Sequence, residues 1–575
     1  MKHPADKLDR RDFLKSVGLA APLILTATAG AGAEEKAFAP AAHAAVRTRE
    51  LAADLVILGG GVGGCAAALA AARNGLQVIV TEETDWIGGQ LTQQAVPPDE
   101  NKWIETFGGT RSYQALREGI REFYRRHYPL TETARANKTL NPGNCWVSRI
   151  GCEPRVALAV LYEMLAPFLG NGRVRLLLRH KAVGTVVDHD RVEAVRVLNL
   201  ESGHDLILRA PMFADATEQG DLLPLTKTEY VIGAEARKDT GEPSAKTEAQ
   251  PGNLQGFTCC FAMDYLAGEE HTIGRPRDYS FWRDFMVKAP GQEEYRLLSF
   301  EEESARKNGF DPRARKGFWT YRRIADRDLF QPGFYRGDIT IVNWPQNDYA
   351  FGLFCDADEV AAAKQLDRAR QLSLSLLYWL QTEAPRPDGG AGWPGLRLRP
   401  DIVGTEDGLA KYPYIREGRR IQGEFTVLEQ HVRTELRMQE TGLPRGEVAA
   451  QKFADSVGIG SYWMDLHVTT AGDRSHFGST LPFQIPLGAL MPKRIENLLP
   501  AGKNIGVTHL TNGCYRLHPV EWNIGEAAGA LAAFCRAQKK SPRQVRNTSG
   551  LLRDFQQQLQ RDGVRLDWPK EAGPI

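Results

Sequence analysis

Residues 54–64 read Asp-Leu-Val-Ile-Leu-Gly-Gly-Gly-Val-Gly-Gly, and few folds can use such a stretch. The aliphatic run from Leu55 to Leu58 suits a strand buried on both faces. Gly59, Gly61 and Gly64 then satisfy G-x-G-x-x-G directly after the strand. An alanine-rich helix is expected from Cys65 to Asn74, closed by Gly75, and a second strand over 77–81 ends at Glu82. Each part has a task in holding a dinucleotide. Gly59 permits the turn, Gly61 lets the backbone approach a diphosphate, and Gly64 lets the helix pack close to the strand. The helix start, with Val62, Gly63 and Gly64, offers N–H groups and a positive dipole end to phosphates. Glu82 stands 18 residues beyond Gly64, where a carboxylate accepts from both ribose hydroxyls.

A second glycine pair follows soon after that acid, in Gly88-Gly89-Gln90. It fits a chain that returns to the diphosphate, as flavin-binding chains do and nicotinamide-binding ones usually do not. The far end of the chain agrees. Asn497 to Ile505, with Gly502 in its turn, reads as strand and turn. Residues 512–519 lead from there into a helix expected to begin at Gly525-Glu526-Ala527-Ala528. Small residues at that start would let its N–H groups reach the pyrimidine edge of a flavin, where the dipole favours the reduced anion.

On these motifs the chain resembles the FAD-dependent oxidoreductases with a glutathione-reductase-type FAD domain, across nearly all of the sequence after residue 50. Phe213-Ala214-Asp215-Ala216-Thr217-Glu218-Gln219-Gly220-Asp221-Leu222 is similar to the family's strand end beside the cofactor, with Glu218-Gln219 where Gly-Asp is usual. Segments 342–349, 414–421 and 456–467 also match. The resemblance implies FAD, redox chemistry, and an α/β fold. That fold is a Rossmann-like FAD domain with an inserted α+β substrate or cap domain. The organisation expected is a signal peptide over 1–33, a linker over 34–50, and an FAD domain over 51–256 and 481–540. The insertion occupies 257–480 and a tail 541–575. Strands are expected over 183–187, 192–198 and 205–208, a surface loop over 236–256, and a long helix over 360–380.

The first residues read as an address. Arg10 and Arg11 precede Phe13-Leu14, a mildly apolar run covers 17–29, and Ala31-Gly32-Ala33 forms a cleavage site. The run is about half the length a bilayer requires, and the arginine pair fits a twin-arginine signal, which exports folded cargo. The mature protein is therefore expected in the periplasm, with the export machinery as a partner and no stable membrane anchor. Lys and Arg total 72 against 71 for Asp and Glu. That balance, with no basic stripe, gives no pull toward nucleic acid. The eight cysteines include no C-x-x-C pair and no zinc-like spacing with histidine, so no metal site is expected; buried free thiols suit a chain folded before export.

A flavin takes a hydride itself, so the protein must supply orientation, charge and a proton acceptor. His518 and Arg516, just before the C-terminal helix, are the first candidates for the ring's surroundings. His467, two residues from Asp465, is the next candidate for the base, or else a core histidine held by hydrogen bonds. His476 and His509 lie in neighbouring segments. Arg416, Arg419 and Arg420 read either as an anion site or as a salt-bridge network. Asn343, Asp348 and Tyr349 either line a polyhydroxylated substrate's pocket or cap a turn. The leading expectation is an exported dehydrogenase or oxidase acting on a small polar substrate, such as a sugar or polyol, with an unidentified electron acceptor. The alternative is a flavoprotein that carries electrons without its own turnover, or serves as a subunit of a complex. Flavin monooxygenase or halogenase chemistry is a third reading.

Overall fold

The computed structural model describes residues 49–573 except 289–293 and 316. The leader with Arg10 and Arg11 lies outside the described residues. A five-stranded parallel sheet forms the centre. Its order is Leu498–Pro500, Met212–Asp215, Leu55–Leu58, Val78–Glu82, Val174–Leu178. Leu55 to Leu58 are fully buried because helices and loops cover both faces of the sheet. Their register sets Leu58 beside Thr81 on one side and Asp215 on the other. All strands run the same way, so Gly59, Glu82, Ala216 and Ala501 emerge together at the sheet's carboxyl edge. Ligands of open α/β sheets bind at that edge.

Helix Val62–Arg73 follows the glycine turn and packs on the C-terminal helix His518–Gln538. That second helix begins at His518, with Leu517 as its N-cap, and not at Gly525 as expected. Pro519 in its first turn accounts for the earlier start, since a fixed φ suits a position with no intrahelical donor. Gly525 thus lies two turns inside the helix.

Three antiparallel strands, His180–Asp188, Arg191–Asn199 and Asp205–Arg209, form a meander beside the main sheet. Arg49–Ala52 pairs in parallel with its last strand, so the end of the expected linker is a sheet edge. A second apolar core gathers residues between Phe257 and Ile415. It is built on a four-stranded antiparallel sheet and the helix Glu359–Thr382. Apolar residues from Val427 to Leu466 join the main core, so this core is narrower than the 257–480 segment. Residues 236–256, read as a surface loop, hold the short helix Arg237–Thr240 and bridges to Ala234 and Ala236. The stretch after 541 is no tail. It forms helices Pro542–Asn547 and Ser549–Asp562, which bury Val545, Phe555 and Leu559 against the main core. All eight cysteines are buried free thiols. Cys259 belongs to the second core and its neighbour Cys260 to the first, as successive side chains of an extended segment face opposite ways. No described helix is long and apolar enough to cross a membrane.

Candidate active site

The glycine turn is shaped by contacts that no side chain could share. Gly59 has φ +95°, and a Cβ there would stand 2.3 Å from the carbonyl oxygen of Ala216. A Cβ on Gly64 would meet the Gly59 carbonyl oxygen at 2.1 Å, and one on Gly63 the Ala501 carbonyl oxygen at 1.8 Å. The second pair returns to the first: Gly88 N–H donates to the Gly60 carbonyl at 2.7 Å. Gly89, at φ +51°, lies so close that a Cβ would be 2.9 Å from Gly61 Cα.

Gly61 opens the helix Val62–Arg73 without any side-chain cap, which leaves first-turn N–H groups facing the crest of the turn. Glu82 takes the Gly60 N–H at 3.0 Å and the Thr84 N–H at 2.8 Å. Burial pushes its carboxyl up to about 8. A narrow cavity runs along Gly59, Gly61, Glu82, Ala216, Thr217 and Glu218.

Three charges missed in the sequence reading stand around this crest. Lys503 pairs with Glu218, and its Nζ is 4.0 Å from Glu521. Glu521 Oε1 accepts from Gly63 N–H at 3.4 Å, and its Oε2 accepts from Gln90 Nε2 at 2.5 Å. Burial raises Glu521 to about 7. Gly502 adjoins the same carboxylate, 3.6 Å from a Cβ placed on it. Glu218 Oε1, Gln90 Oε1 and Asn504 Oδ1 are buried without hydrogen-bond partners. Acceptors in that condition are costly unless the hydroxyl or N–H groups of a ligand meet them. These residues fit FAD: Glu82 toward a ribose, the uncapped helix start and glycine crest toward a diphosphate, and Lys503 as its counter-ion. The signal for the two acids was slight, Glu521 between Val520 and Trp522 in the helix start and Glu218 at an unusual place in the strand-end motif.

Other expected contacts are differently placed. Asp215 spends both oxygens on its own turn, accepting from Thr217 N and Oγ1 at 3.0 and 2.7 Å and from Leu222 N at 3.1 Å. It shapes the crest by holding this turn. Gly525 faces the Gly63 carbonyl, 1.9 Å from a Cβ built on it. Its smallness therefore serves the helix crossing. Glu526 accepts from Ser112 Oγ at 2.7 Å, on the side that packs against helix Arg111–His127.

From the crest a polar chain leads to a larger cavity. Gln90 Nε2 donates to the Arg516 carbonyl at 3.1 Å. The Arg516 guanidinium donates to Tyr414 Oη at 2.8 Å and to Asp465 Oδ2 at 3.0 Å. Asp465 Oδ2 lies 3.4 Å from His467 Nε2, and His467 Nδ1 is 2.6 Å from Asp348 Oδ2. Arg416 joins Asp348 at 2.9 Å and Asn343 at 3.0 Å. Although burial opposes ionisation, Arg416 and His467 hold Asp348 below its usual range, and His467 and Arg516 do the same for Asp465. His467 keeps 21% side-chain exposure and lines a cavity of about 300 Å³ with His476 and His509.

His518 departs from its expected role. Its Nδ1 accepts from Asp99 N–H at 3.2 Å and its Nε2 donates to the Val96 carbonyl at 3.2 Å. Burial lowers it to about 3. Both ring nitrogens are committed to backbone, so the ring fixes residues 96–99 and has no lone pair left for a substrate proton. The three arginines form ion pairs, Arg419 with Asp221 and Asp356, and Arg420 with Glu417 and Glu235. Tyr349 donates to Gln365 and packs in the second core. Among the described residues, no group of acids, histidines and cysteines could hold a metal ion.

No curated protein matches the chain. Solved structures with similarity include a variant of Escherichia coli quinol fumarate reductase at 12% identity, covering 89% of this chain and 74% of that one, TM-score 0.32. A Pyrococcus horikoshii L-proline dehydrogenase is 14% identical over 33% of this chain and 25% of its own, TM-score 0.18. A Bacillus halodurans glycerol-3-phosphate dehydrogenase complexed with FAD is 12% identical over 37% and 39%, TM-score 0.22. The chain thus spans well under half the length of these last two. Residues 54–559 match the family described as FAD dependent oxidoreductase. That stretch takes in the glycine crest, Glu82, the Lys503 cluster and the His467 cavity, and the chain belongs to the FAD-dependent oxidoreductases.

Proposed function

We propose that this enzyme is an exported FAD-dependent dehydrogenase or oxidase that oxidises an alcohol carbon of a small polar substrate such as a sugar or polyol. His467 is its proton acceptor. The observation that carries the reading is the position of His467, held between Asp348 and Asp465 at the wall of the 300 Å³ cavity. Bound FAD supplies the hydride acceptor. The chain's own residues do the rest. Asp348 on Nδ1 fixes the tautomer, and Nε2, 3.4 Å from Asp465, is the nitrogen that takes the hydroxyl proton. Asp465 stabilises the imidazolium that results, and Arg516 holds Asp465 in place. An electron carrier needs no such cavity with a base in its wall. The paired arginines before an apolar run support export by the twin-arginine route.

The test is anaerobic bleaching of the flavin absorbance by a panel of sugars, polyols and hydroxy acids. Reduction by one of them, slowed about 10²-fold in His467→Asn, is the expected result. A flavin that no member reduces would overturn the reading.

A further inference from the structure

The cavity beside His467 has an unequal balance of used and unused charge. Its three acids each hold hydrogen-bond partners, Glu242 through one oxygen. Glu235 accepts from Arg420 Nη2 at 2.8 Å and from His509 N–H at 2.9 Å. Glu242 accepts from Thr508 Oγ1 at 2.7 Å and from Glu429 N–H at 2.8 Å. Asp473 holds Lys246 at 2.5 Å and Asn253 Nδ2 at 2.7 Å. Arg433 spends its Nη1 on Ser244 at 2.6 Å and Glu429 at 3.1 Å, although its Nε is buried without a hydrogen-bond partner. Arg474 differs. It lines the cavity, and its Nη2 is buried with no hydrogen-bond partner among the described residues. His509, though burial works against its charge, is raised by Glu417 at 2.9 Å. The wall therefore presents cationic groups, and Arg474 among them makes no side-chain hydrogen bond or ion pair within the described residues.

A buried guanidinium N–H is costly to leave unmet, and a planar fork matches the paired oxygens of a carboxylate better than any single hydroxyl. We infer that the cavity takes a hydroxy acid, an alcohol substrate that also carries a carboxylate, and that Arg474 is the residue that binds that carboxylate. This rests on the dehydrogenase reading above and narrows its substrate class. The chemistry balances. The carbinol C–H bond breaks with its electron pair passing as hydride to FAD, the O–H proton goes to His467 Nε2, and a C=O bond forms to give a keto acid. A cavity of about 300 Å³ holds a sugar acid or a shorter hydroxy acid. His467 at one part of the wall and Arg474 at another divide the work, one at the reacting carbon and one at the anionic end.

The experiment compares D-gluconate, D-glycerate and L-malate with sorbitol and glycerol as reductants of the holoenzyme under anaerobic conditions. The acids are expected to reduce the flavin with KM at least about 10-fold below the neutral polyols, the scale of one charge-assisted contact. Arg474→Gln should raise the KM of the acids by about 10- to 100-fold with kcat changed far less, and Arg474→Lys should recover part of the loss. Neutral polyols serving as well as acids, with Arg474→Gln silent on KM, would overturn the inference and leave the dehydrogenase reading standing. If no alcohol reduces the flavin, the dehydrogenase reading fails, and malonate titrated calorimetrically into the holoenzyme still decides the anion site. Malonate binding lost in Arg474→Gln supports it; binding unchanged in that variant, or none in the wild type, rejects it.

Discussion

A Cβ on Gly525 would stand 1.9 Å from the carbonyl oxygen of Gly63, and one on Gly529 would stand 2.2 Å from the carbonyl of Ala67. The two helices that flank the crest therefore touch backbone to backbone, and the N-terminal half of the chain is locked to its last helix at the place where the dinucleotide fingerprint begins. Gly525→Ala is expected to force the helices apart, at a cost on the overpacking scale of about 1–3 kcal/mol or more. Thermal melts should fall by several degrees and bound flavin should decrease. Gly550→Ala is the control. It sits in helix Ser549–Asp562 with nothing within 4 Å of its Cβ, so it should be neutral or stabilising by about 0.5–1 kcal/mol. Equal melting of the two variants would reject the locking role.

Gly61 faces the crest without blocking the fold. Its Cβ would meet Glu218 Oε1 at 3.0 Å, the Ala216 carbonyl at 3.4 Å and Glu521 Oε1 at 3.7 Å. Gly61→Val should fold but purify colourless, since a branched side chain would fill the diphosphate's approach. Glu82→Gln should keep its backbone acceptor and weaken FAD by about 10-fold, the order of one lost hydrogen bond. Flavin released on denaturation, measured against protein, distinguishes these outcomes. A fully yellow Gly61→Val protein would remove the crest from FAD binding.

His518 and His467 separate by their readouts. His518→Asn should lower stability by about 1–3 kcal/mol through unmet backbone groups, while the pH profile of flavin reduction keeps its shape. His467→Asn should change the profile itself and slow reduction about 10²-fold with little loss of stability. The reverse pattern in rapid mixing experiments would return the base role to His518.

Burial raises Glu82 to about 8, and Asp215, Glu242 and Glu521 each to about 7. Their unfolded values are 4.5 for glutamate and 3.8 for aspartate. The folded chain therefore binds more protons than the unfolded chain between those limits. Stability from these groups is fully present below about pH 4 and is lost as pH rises through 7 to 8. Glu417, held at about 2 by His509 and Arg420 against the opposing effect of burial, acts in the other direction and loses its contribution as pH falls through about 2. Melting temperature of the flavin-free chain should thus decline from pH 5 to pH 9, and Glu521→Gln should flatten that slope. A slope unchanged by the substitution would reject the buried proton at Glu521.

The proposed export rests on the arginine pair. Arg10→Lys with Arg11→Lys should retain the protein in the cytoplasm, because the receptor reads the guanidinium pair. Unchanged periplasmic yield in cell fractionation would reject the twin-arginine route.

The sequence by itself determined the parts whose cause is local. A β-branched and aliphatic run, three glycines at fixed offsets and an acid at the next strand end make a strand–turn–helix–strand wherever they occur, because backbone sterics and helix-terminus charge act over a few residues. The tertiary structure decided the rest. Gly525 looked like an opening for a ligand, yet its smallness answers to Gly63, more than 400 positions away in the chain. His518 looked like the base from its place before a helix, but Asp99 and Val96 consume both its nitrogens. His467 already neighboured Asp465 in the sequence, but it acquired Asp348, 119 positions away, only when the second core came to rest on the first. Hydrogen bonds and ion pairs depend on distances of about 3 Å, and no periodicity in the sequence records which distant segments folding will bring that close.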